Sequence, residues 1–257
     1  MRRGRWVVYK IISGSVVEKV KAWRCGESSG RRKRVRGSST LKKLEANLRS
    51  AVKNLARILN CNFSEKDLFL KLGYDDAALP EDWQSQEKTV ELFIRRLKKQ
   101  LKRQGCGQVK WVSVCSEKNS RTGEAARPHV HLVISGEGMA FRDGRWWCGE
   151  KTLEEIWGLG GVYGEPLRRM SDYTPLALYL LRQAGRETDR KKYHVSRNMD
   201  KPVVEEYDVL TDRELRAPAG AVVVDKRYDV LTGANYIRYI APPKRKRTDK
   251  GARHATE

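Results

Sequence analysis

Three segments of the chain repeat their apolar residues at helical spacing. In the first segment, the repeating residues are Leu41, Leu44, Leu48, Val52, Leu55 and Leu59, behind a cap at Ser39 or Thr40. A second helix is predicted from about Gln86 to Gln104, where Gly105 stops it. A third is predicted with Thr174 as its N-cap, Pro175 in its first turn and Gly185 as its stop. Each segment is amphipathic, so each helix is expected to bury one side and expose the other.

Strands are predicted where short apolar runs are bounded by turn residues. Segments 68–72, 109–115 and 127–134 are such runs, and the last two also contain several of the β-branched residues that strands favour. The polar loop 116–127 joins the second of these segments to the third, so the two are expected to pair as an antiparallel hairpin. Residues 5–24 contribute one or two further strands. The chain therefore mixes helices with strands.

Two histidines lie on one face of the strand predicted after the polar loop. His129 and His131 point one way, and the apolar residues that alternate with them point the other. Both rings can reach one divalent cation if a carboxylate approaches from a neighbouring strand, and mixed nitrogen and oxygen ligands suit Mg²⁺ or Mn²⁺. Glu117 is the first candidate for that carboxylate, with Glu124 and Asp75 in reserve. A solvated polar face, or rings bonded to backbone carbonyls, is the alternative interpretation.

The third predicted helix carries a tyrosine in the middle of its polar side. Tyr179 shares that side with Arg182, Gln183 and Arg186. A tyrosine on an exposed helix face can act as a phosphoryl-transfer nucleophile when a metal offsets the developing charge, and Arg182, one turn on, can bind a phosphate. An ordinary surface tyrosine and a solvated arginine are the alternative.

The chain is strongly basic. Its 257 residues include 53 Lys and Arg against 32 Asp and Glu, a formal net charge of +21 that is typical of proteins that bind phosphate backbones. The outer face of the second helix carries Arg95, Arg96, Lys98, Lys99, Lys102 and Arg103. A run of Arg31, Arg32, Lys33 and Arg34 is either a solvated segment or a contact with DNA, and these readings are compatible. Nucleic acid is the expected partner.

The cysteines and the apolar runs favour a cytoplasmic protein. Five cysteines form no Cys-x-x-Cys pair, and their odd number and wide spacing argue against a disulfide framework. The N-terminal segment lacks the apolar core of a signal peptide, and no stretch approaches the ~20 apolar residues that a membrane span needs. Reduced thiols and no membrane partner are expected, with an anionic membrane surface as the weaker alternative to nucleic acid.

Three segments, taken in order, resemble the motifs of a known family. They are Phe69-Leu70-Lys71-Leu72-Gly73-Tyr74-Asp75-Asp76, Arg127-Pro128-His129-Val130-His131 and Tyr179-Leu180-Leu181-Arg182. The sequence resembles the rolling-circle replication initiators (Rep proteins) of the HUH endonuclease superfamily, from bacterial plasmids, phages and mobile elements. Gly73 stands where the family commonly has Thr, and Arg182 and Gln183 replace its usual Lys-Tyr pair. Arginine keeps the positive charge but cannot titrate, which puts a proton-donating role in question.

The resemblance implies a fold and a domain order. The implied fold is α+β, a central antiparallel sheet flanked by helices around an RRM or ferredoxin-like core, with the two histidines on a central strand. A basic N-terminal extension with short strands is expected at 1–39, the HUH endonuclease domain at 40–241, and a basic, disordered tail at 242–257.

The resemblance also implies a reaction. Tyr179 would attack a scissile phosphate of single-stranded origin DNA held by Mg²⁺ or Mn²⁺ on His129, His131 and Glu117. The products would be a 5′-phosphotyrosyl link and a free 3′-hydroxyl that primes replication. Contacts with the DNA are expected from Arg31, Arg32, Lys33, Arg34, Arg127, Arg186 and Arg197. The sequence has no Gly-x-x-x-x-Gly-Lys-Ser/Thr loop for a fused helicase, so a host helicase and DNA polymerase are the expected partners.

Other interpretations of the same residues stay open. A conjugative relaxase or a single-tyrosine transposase would share the chemistry. A non-catalytic nucleic-acid-binding protein would use the histidines structurally and would bind in a salt-sensitive way without metal. A structural zinc site lacks ligands, because Cys115 is the only thiol near the histidines. Tyr173 and Tyr193 are the rival nucleophiles, but both lie outside the helix and are less well fixed than Tyr179.

Overall fold

The computed structural model describes residues 4–24, 41–118, 122, 124–184, 191–209 and 214–243. The strands are β1 (Arg5–Ser13), β2 (Val16–Arg24), β3 (Leu68–Gly73), β4 (Trp111–Lys118), β5 (Ala125–Ile134), β6 (Met139–Arg142), β7 (Arg145–Cys148), β8 (Lys151–Thr152), β9 (Val162–Pro166), β10 (His194–Val195), β11 (Val203–Val209), β12 (Val222–Tyr228) and β13 (Asn235–Ile240). The helices are α1 (Leu41–Asn62), α2 (Trp83–Arg103), α3 (Leu153–Trp157) and α4 (Thr174–Gln183). The chain forms two compact units, Met1–Gly26 with Val204–Glu257, and Glu27–Val203.

The first unit is built on a five-stranded sheet in the order β11-β1-β2-β13-β12. Gly14 closes the hairpin between β1 and β2 with a φ of 59°, a left-handed conformation that glycine adopts without a steric penalty. β13 runs antiparallel to β2 over its whole length. Val17 of β2 packs with Ile237 and Tyr239 of β13 in a small apolar core. Strands from the two ends of the chain therefore share one sheet.

This division of the chain differs from the sequence-based one. The sequence analysis set a basic extension at 1–39 apart from a single domain at 40–241. In the structure β13, which lies inside that predicted domain, pairs with β2 of the predicted extension. Pairing between strands so far apart in sequence leaves no local signal, so it could not be anticipated from composition. The predicted tail lies outside the described residues from residue 244 onward.

The second unit contains a five-stranded sheet in the order β10-β4-β5-β3-β9. Each pair of neighbouring strands is antiparallel, and β5 is the middle strand. The predicted hairpin of β4 and β5 is confirmed, with Val114 opposite His131. The predicted α+β class, with antiparallel sheet and flanking helices, is therefore confirmed. A smaller three-stranded sheet has the order β6-β7-β8.

The two faces of this sheet bury two separate cores. Val130, Leu132 and Ile134 of β5 belong to the core that includes the apolar residues of α2 and α3. Val133 belongs to the core that includes those of α1 and α4. Because side chains alternate along a strand, His129 and His131 share the face of Val133. The histidines therefore face α1 and α4, on the side of the sheet opposite to α2.

The predicted helices are all present, with shifted ends. α2 begins at Trp83, three residues before the predicted start, because the Asp82 side chain caps it by accepting a hydrogen bond from the Ser85 backbone N–H at 2.7 Å. The predicted cap of α4 at Thr174 is wrong. Its N-cap is Tyr173, and the Thr174 hydroxyl instead donates to the Asp172 carboxylate at 2.8 Å. None of the helices in the described residues is both long and apolar enough to cross a membrane.

Candidate active site

Two buried histidines occupy the middle of the central strand. His129 is 8% exposed and His131 is 1% exposed. His129 lies between Gly73 on one neighbouring strand and Ser116 on the other, and these small residues leave room for its ring. The backbone at this point is held by the amide of Gln86 on α2, which donates to the His129 carbonyl at 3.0 Å. The neighbouring strands and α2 thus hold the backbone of His129 in place.

The polar atoms of this cluster lie very close together. His129 Nε2 is 3.1 Å from His131 Nε2, and His131 Nε2 is 3.0 Å from Gln183 Oε1. His129 Nδ1 lies 2.9 Å from the Arg127 carbonyl, an acceptor only, so the proton of a neutral ring belongs on Nδ1 and the lone pair on Nε2. That lone pair faces the other two groups. We call His129, His131 and Gln183 the His-His-Gln cluster.

Burial keeps both rings neutral. It is the main cause that lowers the pKa of His131 from 6.5 to about 4, and the nearby His129 ring contributes to the same shift. Burial is also the main cause that lowers the pKa of His129. A neutral imidazole can offer a lone pair to a metal ion without first losing a proton. Near neutral pH neither ring therefore carries a charge that would repel a cation.

Gln183 is a site residue that the sequence analysis assigned to an exposed helix face, and that assignment is wrong. Its side chain is 4% exposed and contacts the histidines. The reason lies at the end of α4, where the Ser116 hydroxyl on β4 donates to the Gln183 carbonyl at 3.3 Å and ties the last turn to the sheet. The signal in the sequence was its position four residues after Tyr179, because residues four apart lie on one side of a helix. A residue on the side of the predicted nucleophile is expected near the same site.

Tyr179 lies beside the cluster and is accessible to solvent. The residue is 41% exposed, and the centroid of its ring lies 5.5 Å from the centroid of the His131 ring. Phe69 of β3 stacks on His131 at 5.3 Å and meets Tyr179 edge-on at 6.3 Å. Arg182 is exposed on the next turn of α4. The predicted nucleophile therefore stands next to the predicted metal-binding histidines, with Phe69 packed against both.

The rival tyrosines are placed differently. Tyr173 is 4% exposed, its hydroxyl donates to the Arg168 carbonyl at 3.4 Å, and burial raises its pKa. Tyr193 is half-buried, packs against the same core, and burial raises its pKa as well. A nucleophile must meet its substrate and lose its proton. Exposure favours Tyr179, and the raised pKa of Tyr173 and Tyr193 counts against those two residues.

The structure does not bring the predicted carboxylate to the histidines. Among the described residues, no three His, Cys, Asp or Glu side chains form a group that could hold a metal ion, so Glu117, Glu124 and Asp75 do not complete such a group. On β4 it is Ser116 that shares the face of the histidines, because it pairs with His129 and its hydroxyl donates to the end of α4. The regular pairing of β4 with β5 ends there, since the register shifts between Ser116 and Lys118. The third polar group in the cluster is the Gln183 amide.

The amide and the imidazoles form a set of donors that suits a small divalent ion. Ligands at neighbouring corners of an octahedron, each 2.0–2.1 Å from the ion, lie about 3 Å apart. The two distances within the His-His-Gln cluster, 3.1 Å and 3.0 Å, have that value. Nitrogen and neutral oxygen ligands together are compatible with Mn²⁺ or Mg²⁺. The residues present therefore fit the metal that the sequence analysis expected, with Gln183 in the place of Glu117.

The predicted DNA-contacting residues are only partly described. Arg31, Arg32, Lys33, Arg34 and Arg186 lie outside the described residues. Arg127 donates two hydrogen bonds to the Tyr74 carbonyl, at 3.1 and 2.7 Å, and forms an ion pair with Asp76 at 2.6 Å, so it holds the end of β3. Arg197 is exposed. Of this set, Arg197 and the half-exposed Arg127 remain available to a ligand.

No protein-family model matches the chain, and neither a curated protein nor a solved structure shows a significant match to it. The chemistry of the site is therefore argued from its own residues. They combine a neutral cluster of two imidazoles and an amide with an exposed tyrosine, and that tyrosine lies on the helix that supplies the amide. That combination is suited to transfer of a phosphoryl group to the tyrosine.

Proposed function

We propose that this protein is a rolling-circle replication initiator of the HUH endonuclease type, which nicks single-stranded DNA at a replication origin. The observation that carries the proposal is the His-His-Gln cluster, whose polar atoms lie within hydrogen-bonding distance of one another, beside the exposed residue Tyr179. The order of the three sequence motifs and the formal net charge of +21 support the same conclusion.

In this proposal the His-His-Gln cluster binds a divalent cation. His129 Nε2, His131 Nε2 and Gln183 Oε1 would hold Mg²⁺ or Mn²⁺, and the bound ion would withdraw charge from a non-bridging oxygen of the scissile phosphate. Because all three groups are neutral, they do not reduce the positive charge that faces the phosphate. Phe69 limits the freedom of the His131 ring by stacking on it.

Tyr179 performs the transfer. Its Oη forms a bond to phosphorus while the bond from phosphorus to the 3′-oxygen of the preceding nucleotide breaks. The Oη proton passes to solvent, which reaches this exposed residue, and the departing 3′-oxygen takes up a proton. The products are a 5′-phosphotyrosyl link and a free 3′-hydroxyl. One phosphate diester replaces another, so the step needs no ATP, and its reverse reseals the strand.

The surrounding cations would position the strand. Arg182 on α4 and Arg197 are exposed and would contact backbone phosphates, whereas Arg127 would act mainly by holding the end of β3. Within the proposal, the free 3′-hydroxyl primes a host polymerase, a host helicase opens the duplex ahead of it, and the protein works in the cytoplasm.

The test detects a covalent adduct between the protein and an end-labelled oligonucleotide. Single-stranded oligonucleotides of random central sequence are incubated with the protein and Mn²⁺, in parallel with a label at the 3′ end and a label at the 5′ end. The proposal expects a denaturation-resistant adduct that carries the 3′ label, because the tyrosine holds the 5′-phosphate of the downstream fragment. Chelation of the metal should abolish the adduct.

A matched pair of variants identifies the nucleophile. Tyr179→Phe should remove the adduct, while Tyr163→Phe, which alters an exposed tyrosine on β9, should leave it intact. An adduct that persists in Tyr179→Phe would show that another residue is the nucleophile. Single-strand binding with no adduct under any of these conditions would refute the proposed nicking activity.

A further inference from the structure

The second half of α2 presents an unneutralised basic surface. All six of its cations are exposed: Arg95, Arg96, Lys98, Lys99, Lys102 and Arg103. No Asp or Glu occurs between Glu91 and the end of the helix. Among the described residues, none of the six cations forms an ion pair with a carboxylate. We call these six residues the α2 basic face.

A cleft of about 320 Å³ lies between this face and the segment of β8 and α3. Arg96, Lys99, Arg103 and Lys151 line it together with the single carboxylate of Glu155. That carboxylate is already engaged, because it accepts hydrogen bonds from the Thr152 backbone N–H at 2.7 Å and from the Thr152 hydroxyl at 3.0 Å. Four cations against one engaged carboxylate leave the cleft strongly positive.

The surface is held on a rigid support. Phe93, Leu97 and Leu101 of α2 are each at most 1% exposed and anchor the helix in the core. Arg96 donates to the carbonyls of Ile156 and Trp157 at 3.4 and 3.2 Å, which fixes α2 to the end of α3. The helix dipole stabilises cations only in the last turn of a helix, which here holds Lys102 and Arg103. The dipole therefore does not account for the other four cations of the α2 basic face.

The α2 basic face is separate from the His-His-Gln cluster. Its helix packs on the sheet face of Val130 and Leu132, whereas the histidines lie on the opposite face. A strand bound at Tyr179 would therefore leave the α2 basic face free. Its ligand must be sought on its own chemistry.

We propose that the α2 basic face binds the phosphate backbone of duplex DNA. From residue 95 to residue 103 the helix rises about 12 Å, at 1.5 Å per residue. Over that length a duplex presents about seven negative charges and a single strand about half as many. Six cations match the duplex. Exposed aromatic rings, on which single-stranded bases stack, are missing from residues 92–103, where the only ring is that of buried Phe93.

The test compares two variants of the full chain with equal loss of charge. Lys98→Gln/Lys99→Gln/Lys102→Gln alters the α2 basic face, and Lys43→Gln/Lys66→Gln/Lys201→Gln removes three exposed lysines that lie outside α2 in the same unit. Fluorescence anisotropy with a short duplex of arbitrary sequence is measured over a range of salt concentrations. Each lost phosphate contact should reduce the slope of log K against log salt by about 0.9.

The first variant should therefore lose about 2.7 from the slope and more than about tenfold in affinity at ~0.1 M salt, while the second keeps a slope within about one of the parent. Equal losses in the two variants would show a general charge effect and overturn the proposal. So would a first variant that binds duplex like the parent chain but no longer binds anionic lipid vesicles.

This proposal does not depend on the nicking activity. Tyr179→Phe should retain the duplex affinity of the parent chain, and the variant of the α2 basic face should retain the metal-dependent adduct with single-stranded oligonucleotides. Failure of either activity by itself is thus distinguishable from failure of the other.

Discussion

The burial of His131 makes the stability of the second unit depend on pH in a defined window. Its pKa is about 4 in the folded chain against an ordinary value of 6.5, chiefly because the ring is buried. At 1.36 kcal/mol for each pH unit, that gap corresponds to ~3 kcal/mol. Between pH 6.5 and pH 4 the unfolded chain binds the proton and the folded chain resists it. The free energy of unfolding should therefore fall as the pH drops through this window, and the His131 contribution should be constant above it.

The experiment is urea unfolding, followed by tryptophan fluorescence, at several pH values between 7.5 and about 4 in the presence of a chelator. The quantity compared is the change of the free energy of unfolding with pH, not its absolute value, because His131→Asn also alters packing. Across the window, the free energy of unfolding of His131→Asn should decrease by ~3 kcal/mol less than that of the parent chain. His194→Asn, which alters a histidine paired with Glu87 outside the cluster, is the matched control.

The result that would refute this reasoning is a parent chain and a His131→Asn variant with the same dependence on pH. That outcome would mean that the His131 ring accepts a proton in the folded state as easily as in the unfolded state. The ring would then not be the neutral ligand that the His-His-Gln cluster requires. His129, whose pKa burial also lowers, should contribute with the same sign.

Three further predictions follow from the contacts of the second unit. Gln183→Leu should weaken Mn²⁺ binding at least about tenfold in titration calorimetry, while Glu117→Gln should change it less than about twofold, and the reverse order would restore Glu117 as the ligand. Leu97→Ala empties a fully buried position and should lower the free energy of unfolding by ~2–5 kcal/mol in urea. Gly160 has a φ of 148°, and a Cβ there would lie 2.7 Å from the Asp75 nitrogen and the Gly73 oxygen. Gly160→Ala should therefore lower the free energy of unfolding by at least ~1 kcal/mol and lower the Tm measured by circular dichroism. An unchanged Tm would show that a Cβ at this position causes no strain.

The elements with a local period could be determined from the sequence. Apolar residues at helical spacing predicted α1, α2 and α4. The polar loop between β4 and β5 predicted their hairpin, and alternation along β5 predicted the common face of His129 and His131. The exposed position of Tyr179 also followed from the sides of its own helix. These features succeeded because each depends on residues a few positions apart, whose side-chain directions are set by the geometry of one element.

The partners of those elements were decided by the tertiary structure. The sequence analysis put Gln183 in solvent and Glu117 at the metal, yet the docking of the end of α4 on β4 brings Gln183 to His131. The pairing of β13 with β2 likewise joins the two ends of the chain into one sheet. Which distant segments meet depends on how apolar faces bury each other in three dimensions. Periodicity shows that a face exists, and only packing selects the surface that covers it.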